Sequence, residues 1–220
     1  MRVAVYYTPR SCPPLMKAAS QWLGTSGLKV AGISAVEMES LLQAPNHYGF
    51  HATIKPPFRL KTGHTLNDVE KELAAFAKEL QPFFLPPLGI ARIDKFFCLR
   101  PVSDSEAVHN LAAEVVQRFD HFRRPAEDKE LAHRRTAGLT KRQDHLLLTW
   151  GYPYVLDEFR FHLTLTGKID NDRYVEPLIQ ELSARFDPVL QEPVSFDGVS
   201  LFVQHGTSSF SEHKRFNFGR

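Results

Sequence analysis

The sequence is poor in the features that mark most specialised proteins. Its 220 residues include two cysteines, Cys12 and Cys98, with no spacing that suits a metal site or a redox pair. A disulfide scaffold is thereby excluded, and reduced thiols in a cytosol are the expectation. No apolar run approaches the ~18 residues needed to span a bilayer. The opening Met1–Thr8 is too short, and too soon interrupted by Pro9, Pro13 and Pro14, to read as a signal peptide. A soluble, cytoplasmic protein with no membrane partner is expected, and no segment demands an obligate protein partner. Charge of one sign is missing too. Lys and Arg number 27 against 25 for Asp and Glu, a net +2, which argues against an extended nucleic-acid-binding surface while leaving room for a local anion pocket. There is no His-x-His, no His-Glu-x-x-His and no Cys cluster, so no metal and no cofactor is expected.

What is present is ordinary in bulk and unusual in pattern. Hydrophobic residues make up 43% of the chain, enough to bury a core, and no linker-like segment divides residues 1–220. Strands are expected at Arg2–Thr8, Leu88–Ile93, Phe96–Arg100, Val194–Gln204 and near Lys214–Phe218. Helices are expected from about Pro14 to Leu23, from Asn67 or Asp68 to Leu80, from Ser103 or Ser105 to Phe122, from Thr140 to Trp150 and from Arg173 to Phe186. Residues 24–47 are unassigned, apart from a helical fragment at Ser40–Ala44 and a turn at Pro45-Asn46. The charge-dense residues 123–137 read as an exposed loop or helix surface. This mixture of elements predicts an α+β fold.

Two stretches organise the rest. Tyr48-Gly-Phe-His-Ala-Thr-Ile-Lys55 and Phe159-Arg-Phe-His-Leu-Thr-Leu-Thr166 place His51 and His162 at matching positions, 111 residues apart. Read as strands, each puts an apolar row on one face and a His with a Thr two residues later on the other. The first strand should end at Pro56-Pro57. Such a repeat suggests an internal duplication that brings two imidazoles to one site.

The paired words His51-Ala-Thr53-Ile and His162-Leu-Thr164-Leu resemble the two-histidine phosphoesterase superfamily. The flanking words Tyr48–Phe58, Gly151–Val155 and Phe159–Gly167 resemble a bacterial branch labelled as phosphonate-metabolism proteins of unknown function. The resemblance implies a single domain of two pseudo-symmetric lobes, with antiparallel sheets lining a central groove and helices outside. It also implies metal-independent cleavage of a cyclic phosphodiester, with a link to phosphonate breakdown.

The residues suit that chemistry. Opening a cyclic phosphodiester needs a base to activate water and an acid to protonate the departing alkoxide, and histidine can do either near neutral pH. Thr53 and Thr164 can stabilise charge on the non-bridging oxygens. Symmetry leaves open which imidazole is the base; the resemblance gives that part to His162 and the acid's to His51. Lys55, Tyr6, Tyr154 and Arg160 are candidate substrate contacts, and Arg92 a weaker one. His205-Gly-Thr207 repeats the His-x-Thr spacing without the apolar flanks and reads as a loop. The leading substrate is a small sugar or nucleotide cyclic phosphate. Short RNA ends (a cyclic phosphodiesterase or a 2'-5' ligase-like enzyme) and a nucleotide-binding module without turnover are the alternatives.

Overall fold

In the computed structural model, which describes residues 1–24 and 28–219, the elements in chain order are β1 (Arg2–Tyr7), α1 (Pro13–Leu23), α2 (Ala35–Tyr48), β2 (Ala52–Phe58), α3 (Leu66–Glu79), β3 (Phe83–Phe84), β4 (Leu88–Ile93), β5 (Phe96–Pro101), α4 (Glu106–Arg118), α5 (Asp128–Arg135), α6 (Lys141–Trp150), β6 (Leu163–Thr164), α7 (Val175–Phe186), β7 (Ser195–Phe196), β8 (Gly198–Gln204) and β9 (Ser211–Asn217). Hydroxyl side chains start several helices by accepting from the backbone N–H three residues on: Ser34, Thr65, Ser105 and Thr140. For α3 the cap is Thr65 rather than Asn67 or Asp68. Asp68 is the other half of the device, its carboxylate accepting from the Thr65 N–H at 2.8 Å.

The fold is α+β with antiparallel sheets. One sheet has the order β2-β1-β8-β9, a second β4-β5-β6, and a short pair joins β3 to β7. The first sheet therefore mixes the beginning and end of the chain. Each His-x-Thr word falls at an edge strand, β2 of the first sheet and β6 of the second. A single cluster of buried apolar side chains includes Val5 and Leu201 from the first sheet, Leu99 and Leu163 from the second, and Trp22, Phe76 and Leu178 from helices. Among the described residues no helix is long and apolar enough to cross a membrane.

Several strand expectations need correction: the first word is no strand before Ala52, since Tyr48 ends α2, and Val194–Gln204 forms two strands separated at Asp197. β2 continues through Pro56-Pro57 to Phe58. Among the described residues it pairs with β1 alone, so an edge strand can hold prolines whose missing N–H groups the ladder does not need. The second word is a strand only at Leu163–Thr164, where it pairs with Cys98 and Leu99; Phe159–His162 lies outside the ladder, after a 3-10 turn at Leu156–Glu158. The alternation survives without it. Phe159, Phe161, Leu163 and Leu165 are buried, while Arg160, His162 and Thr164 are less so. Thr166 departs from the pattern: it is buried, and its hydroxyl accepts from the Phe97 N–H at 2.9 Å.

The stretch left unassigned from sequence contains α2; residues 25–27 lie outside those described. Helix α2 runs through Pro45 to Tyr48 instead of turning there. A proline inside a helix removes the N–H that would bond the carbonyl four residues back, here that of Leu41. The Leu41 carbonyl accepts instead from the Gly167 N–H at 2.5 Å. A glycine suits this approach, since a Cβ at position 167 would stand 3.0 Å from the same oxygen and force a neighbour to shift. One residue pair earlier, the buried Trp22 indole N–H donates to the Leu165 carbonyl at 2.7 Å. The helix that leads into His51 is thus tied, backbone to backbone, to the segment that follows His162 and Thr164.

Gly167→Ala should therefore wedge these segments apart, costing about 1–3 kcal/mol as overpacking typically does. Urea denaturation reads this as a lower midpoint at unchanged slope. An unaltered midpoint would show that the contact carries no weight.

Candidate active site

The first imidazole is aimed by a glycine. Gly49 ends α2 with φ 74° and ψ 176°, a conformation that is essentially glycine's alone. Its carbonyl then faces His51, whose Nδ1 lies 2.9 Å away. A carbonyl can only accept, so Nδ1 carries the proton and Nε2 keeps the lone pair in the neutral ring. Nε2 stands 3.4 Å from the Thr53 hydroxyl. Beneath the ring lies Tyr6 of β1, stacked at a centroid distance of 3.7 Å and 16° between planes. Tyr6 is only 1% exposed and rests in turn on Phe202 at 4.9 Å.

His162 is set by the same device. Its Nδ1 donates to the Arg160 carbonyl, again two residues back, at 2.7 Å. Here too Nε2 is the nitrogen left for chemistry. Phe96 flanks the ring at 5.5 Å.

Both rings are held neutral at ordinary pH. Burial pushes the His51 pKa down to about 4; the Gly49 carbonyl pulls it up, and the charge of His162 pushes it further down. His162 is lowered first by burial and then, against its own carbonyl partner, by the Arg100 and Arg160 charges. A bound anion would raise both.

Two adjoining cavities share Thr53, Pro56 and Tyr152 and together hold all four motif side chains. One, of about 380 Å³, is lined by His51, Thr53 and Thr164, with Tyr6, Arg2 and Arg134. The other, of about 270 Å³, is lined by Thr53 and His162, with Tyr154, Arg160 and Asp94. Tyr154 and Arg160 line one of these cavities, and Tyr6 lines the other mainly as the support beneath His51. Arg92 lies elsewhere, ion-paired to Asp172 at 3.1 Å. His205 is exposed between β8 and β9. Among the described residues no group of three or more His, Cys, Asp or Glu side chains could hold a metal ion.

Arg2, Arg134 and Tyr152 escaped the reading of the sequence. Arg2 could have been found, because it alternates with Ala4 and Tyr6 on one strand face. Tyr152 belongs to the Gly151-Tyr-Pro-Tyr154 word and alternates with Tyr154. Arg134 carried no such signal, lying inside the charge-dense run that reads as solvent-facing surface.

Lys55 is a correction. Strand alternation puts it beside His51 and Thr53, yet it is 2% exposed and absent from the cleft. The reason is a bulge: Val5 pairs with Lys55 but Tyr6 pairs with Thr53, so Ile54 is the extra residue and Lys55 is re-aimed. Its ammonium donates to the Val116 carbonyl at 2.9 Å and meets Asp120 at 3.4 Å. It ties the edge strand to α4.

Burial pushes the Lys55 pKa down to about 8 against the pull of Asp120. Above that pH the folded protein releases a proton that the unfolded lysine keeps until about 10.5, so stability should climb with pH between about 8 and 10. Beyond about 10 the buried hydroxyls of Tyr6 and Tyr7, pushed up mainly by burial, reverse the slope. Lys55→Met should flatten the climb in denaturation midpoints taken across that window. Identical slopes in the two proteins would contradict the assignment.

Residues 53–211 match the family described as "Protein of unknown function (DUF1045)". The chain is 36% identical over 176 residues to a protein of Janthinobacterium sp. (strain Marseille) named ribose 1,5-bisphosphate phosphokinase PhnN, covering 76% of this chain and 39% of that one. It is 32% identical over 210 residues to the protein of the same name from Laribacter hongkongensis (strain HLHK9), covering 93% of this chain and 48% of that one. The chain therefore spans less than half the length of these relatives. Solved structures of similar shape include E. coli LigT complexed with 3'-AMP, at TM-score 0.45 and 12% identity over 100% of this chain and 98% of that one. A phosphoesterase matches at TM-score 0.43 and 13% identity, over 100% and 99%. With well over half of its length matched, the chain belongs to the DUF1045 family.

Proposed function

We propose that this protein is a metal-independent phosphoesterase that opens a small cyclic phosphodiester. One observation carries the reading: two imidazoles, each anchored through Nδ1 to the carbonyl two residues back, line adjoining cavities that share Thr53, Pro56 and Tyr152. One Nε2 takes a proton from water, whose oxygen attacks phosphorus. The other, protonated, gives its proton to the ring oxygen as the P–O bond breaks, leaving a phosphomonoester and a free hydroxyl. His162 is assigned the base and His51 the acid. The hydroxyls of Thr53 and Thr164 donate to the non-bridging oxygens as charge builds there. The substrate's negative charge offsets the depressed pKa values and lets one ring carry its proton. Tyr154 and Arg160 hold the remainder of the substrate.

A small phosphorylated sugar is favoured as substrate over RNA. The cleft's cavities are of small-molecule size, about 270 and 380 Å³, and the net charge of +2 gives no extended basic track. The relatives' names concern a phosphorylated ribose, which agrees with a place in phosphonate metabolism. A module that binds without turnover would have no use for two imidazoles each held in one tautomer.

The test is turnover of a panel of sugar and nucleoside cyclic phosphates and RNA 2',3'-cyclic ends by chelator-treated protein. Activity should survive chelation and fall by about 10²–10⁴-fold in His51→Ala and in His162→Ala, the range for losing a general acid or base. An ester with an activated leaving group should rescue His51→Ala alone, since that leaving group needs no proton. Activity restored only by metal ions would overturn the mechanism. Tight binding without turnover across the whole panel would replace it with the binding module.

A further inference from the structure

The cavity on the His51 side holds more positive charge than the proposed reaction uses. Arg2 and Arg134 both line it, and none of the residues that line it carries a carboxylate. Arg134 lies in the last turn of α5, a helix with no buried residue, yet its own side chain is turned inward and only 23% exposed. Its guanidinium lies over the Tyr152 ring at 5.0 Å, held in plane by an aromatic surface as guanidinium groups favour. Among the described residues it has one carboxylate near it, Glu130 on its own helix, at 3.8 Å. Its Nε–H is buried and has no hydrogen-bond partner. With Nε buried out of a ligand's reach, the terminal nitrogens are the donors this guanidinium can offer to anionic oxygens in the cavity.

Arg2 is held by contacts of its own. Its Nε donates to Gln204 at 2.6 Å and its guanidinium stands 5.4 Å from the Phe210 ring centroid. That leaves its terminal nitrogens for a ligand. The reacting phosphate already has two hydroxyls and two imidazoles to meet it. A volume of about 380 Å³ holds more than one phosphate group, so the two guanidiniums have room to serve a different one.

We infer that Arg134 and Arg2 form a subsite for a second anionic group, so that the substrate is a sugar cyclic phosphate bearing a further phosphate monoester. This rests on the phosphoesterase reading and narrows it. The two guanidiniums grip the fixed phosphate and orient the sugar, so that the cyclic phosphate falls between His51 and His162. Arg134 is a specificity-determining contact, and Tyr152 positions it.

The experiment compares ribose 1,2-cyclic phosphate and a nucleoside 2',3'-cyclic phosphate, each with a free 5-hydroxyl and with a 5-phosphate. Two readouts are taken: kcat/KM in the wild-type protein, and equilibrium binding by calorimetry in His162→Ala. Each 5-phosphate should improve both by about ten- to hundredfold, the worth of one or two charge-assisted hydrogen bonds. Arg134→Met should erase that ratio, and Arg134→Lys should recover part of it, because a point charge replaces the fork. A ratio near one in the parent protein, or one that Arg134→Met leaves intact, overturns the subsite whatever the turnover. If no cyclic phosphate is turned over at all, the phosphoesterase reading fails. The binding ratio then still decides the subsite: a retained preference lost in Arg134→Met supports it, and no preference overturns it.

Discussion

The separation of the two histidine words depends on a hydrogen bond between a helix and the chain beyond the second word. The Leu41 carbonyl is an acceptor that Pro45 has released from its own helix, and Gly167 is the residue small enough to reach it. Neither residue bears on chemistry alone. Together they set the distance between α2, which delivers His51, and the strand that carries Thr164. The Trp22 indole adds a second tether at Leu165, within the same buried cluster. A contact made of backbone atoms and a buried indole cannot drift as a surface ion pair does, so the width of the cleft is set by the core.

From that frame, each imidazole needs only local instructions. A carbonyl two residues back fixes the tautomer and leaves Nε2 as the working nitrogen. The first word accomplishes this through a glycine conformation at residue 49, and the second through an extended segment outside the ladder. Because both words sit at edge strands, one side of each has no ladder partner to cover it. Side chains from both words line the adjoining cavities, with Arg2 and Tyr6 of β1 and Phe96 of β5 beside them. Burial costs each ring its proton, and the cost is recovered when an anion enters, so the site's charge state follows its occupancy.

How much of this the sequence discloses depends on whether the instruction is local. Period-two alternation put Phe50, Ala52 and Ile54 of the first word and Phe159, Phe161, Leu163 and Leu165 of the second inward, the latter even where Phe159–His162 forms no ladder. It missed Tyr48, which ends α2 and lines the His51 cavity, and Thr166, which is buried. Hydroxyl caps located α4 and α6. Alternation failed at Lys55 because a one-residue bulge at Ile54 depends on pairing with β1, which is distant in the chain. It failed at Pro45 for a similar reason. Proline there reads as a turn until the acceptor it frees is seen to have a partner more than a hundred residues away. Arg134 was hidden by composition. A run of mixed charges gives no local sign that one guanidinium is folded inward over Tyr152.

The unequal distribution of charge in the cleft gives the site a direction that its paired motifs lack. The two His-x-Thr words are nearly equivalent in what they offer phosphorus, so by themselves they would accept a cyclic phosphate in either orientation. The surroundings differ: Arg2 and Arg134 without a carboxylate on the His51 side, Arg160 opposed by Asp94 on the His162 side. A substrate with one charged end aligns against such a gradient before its reacting group is engaged. Orientation fixes which ring oxygen faces which imidazole, and hence which histidine gives up a proton. Under the proposed mechanism, the division of labour between His51 and His162 is a property of the arginines around them as much as of the histidines themselves.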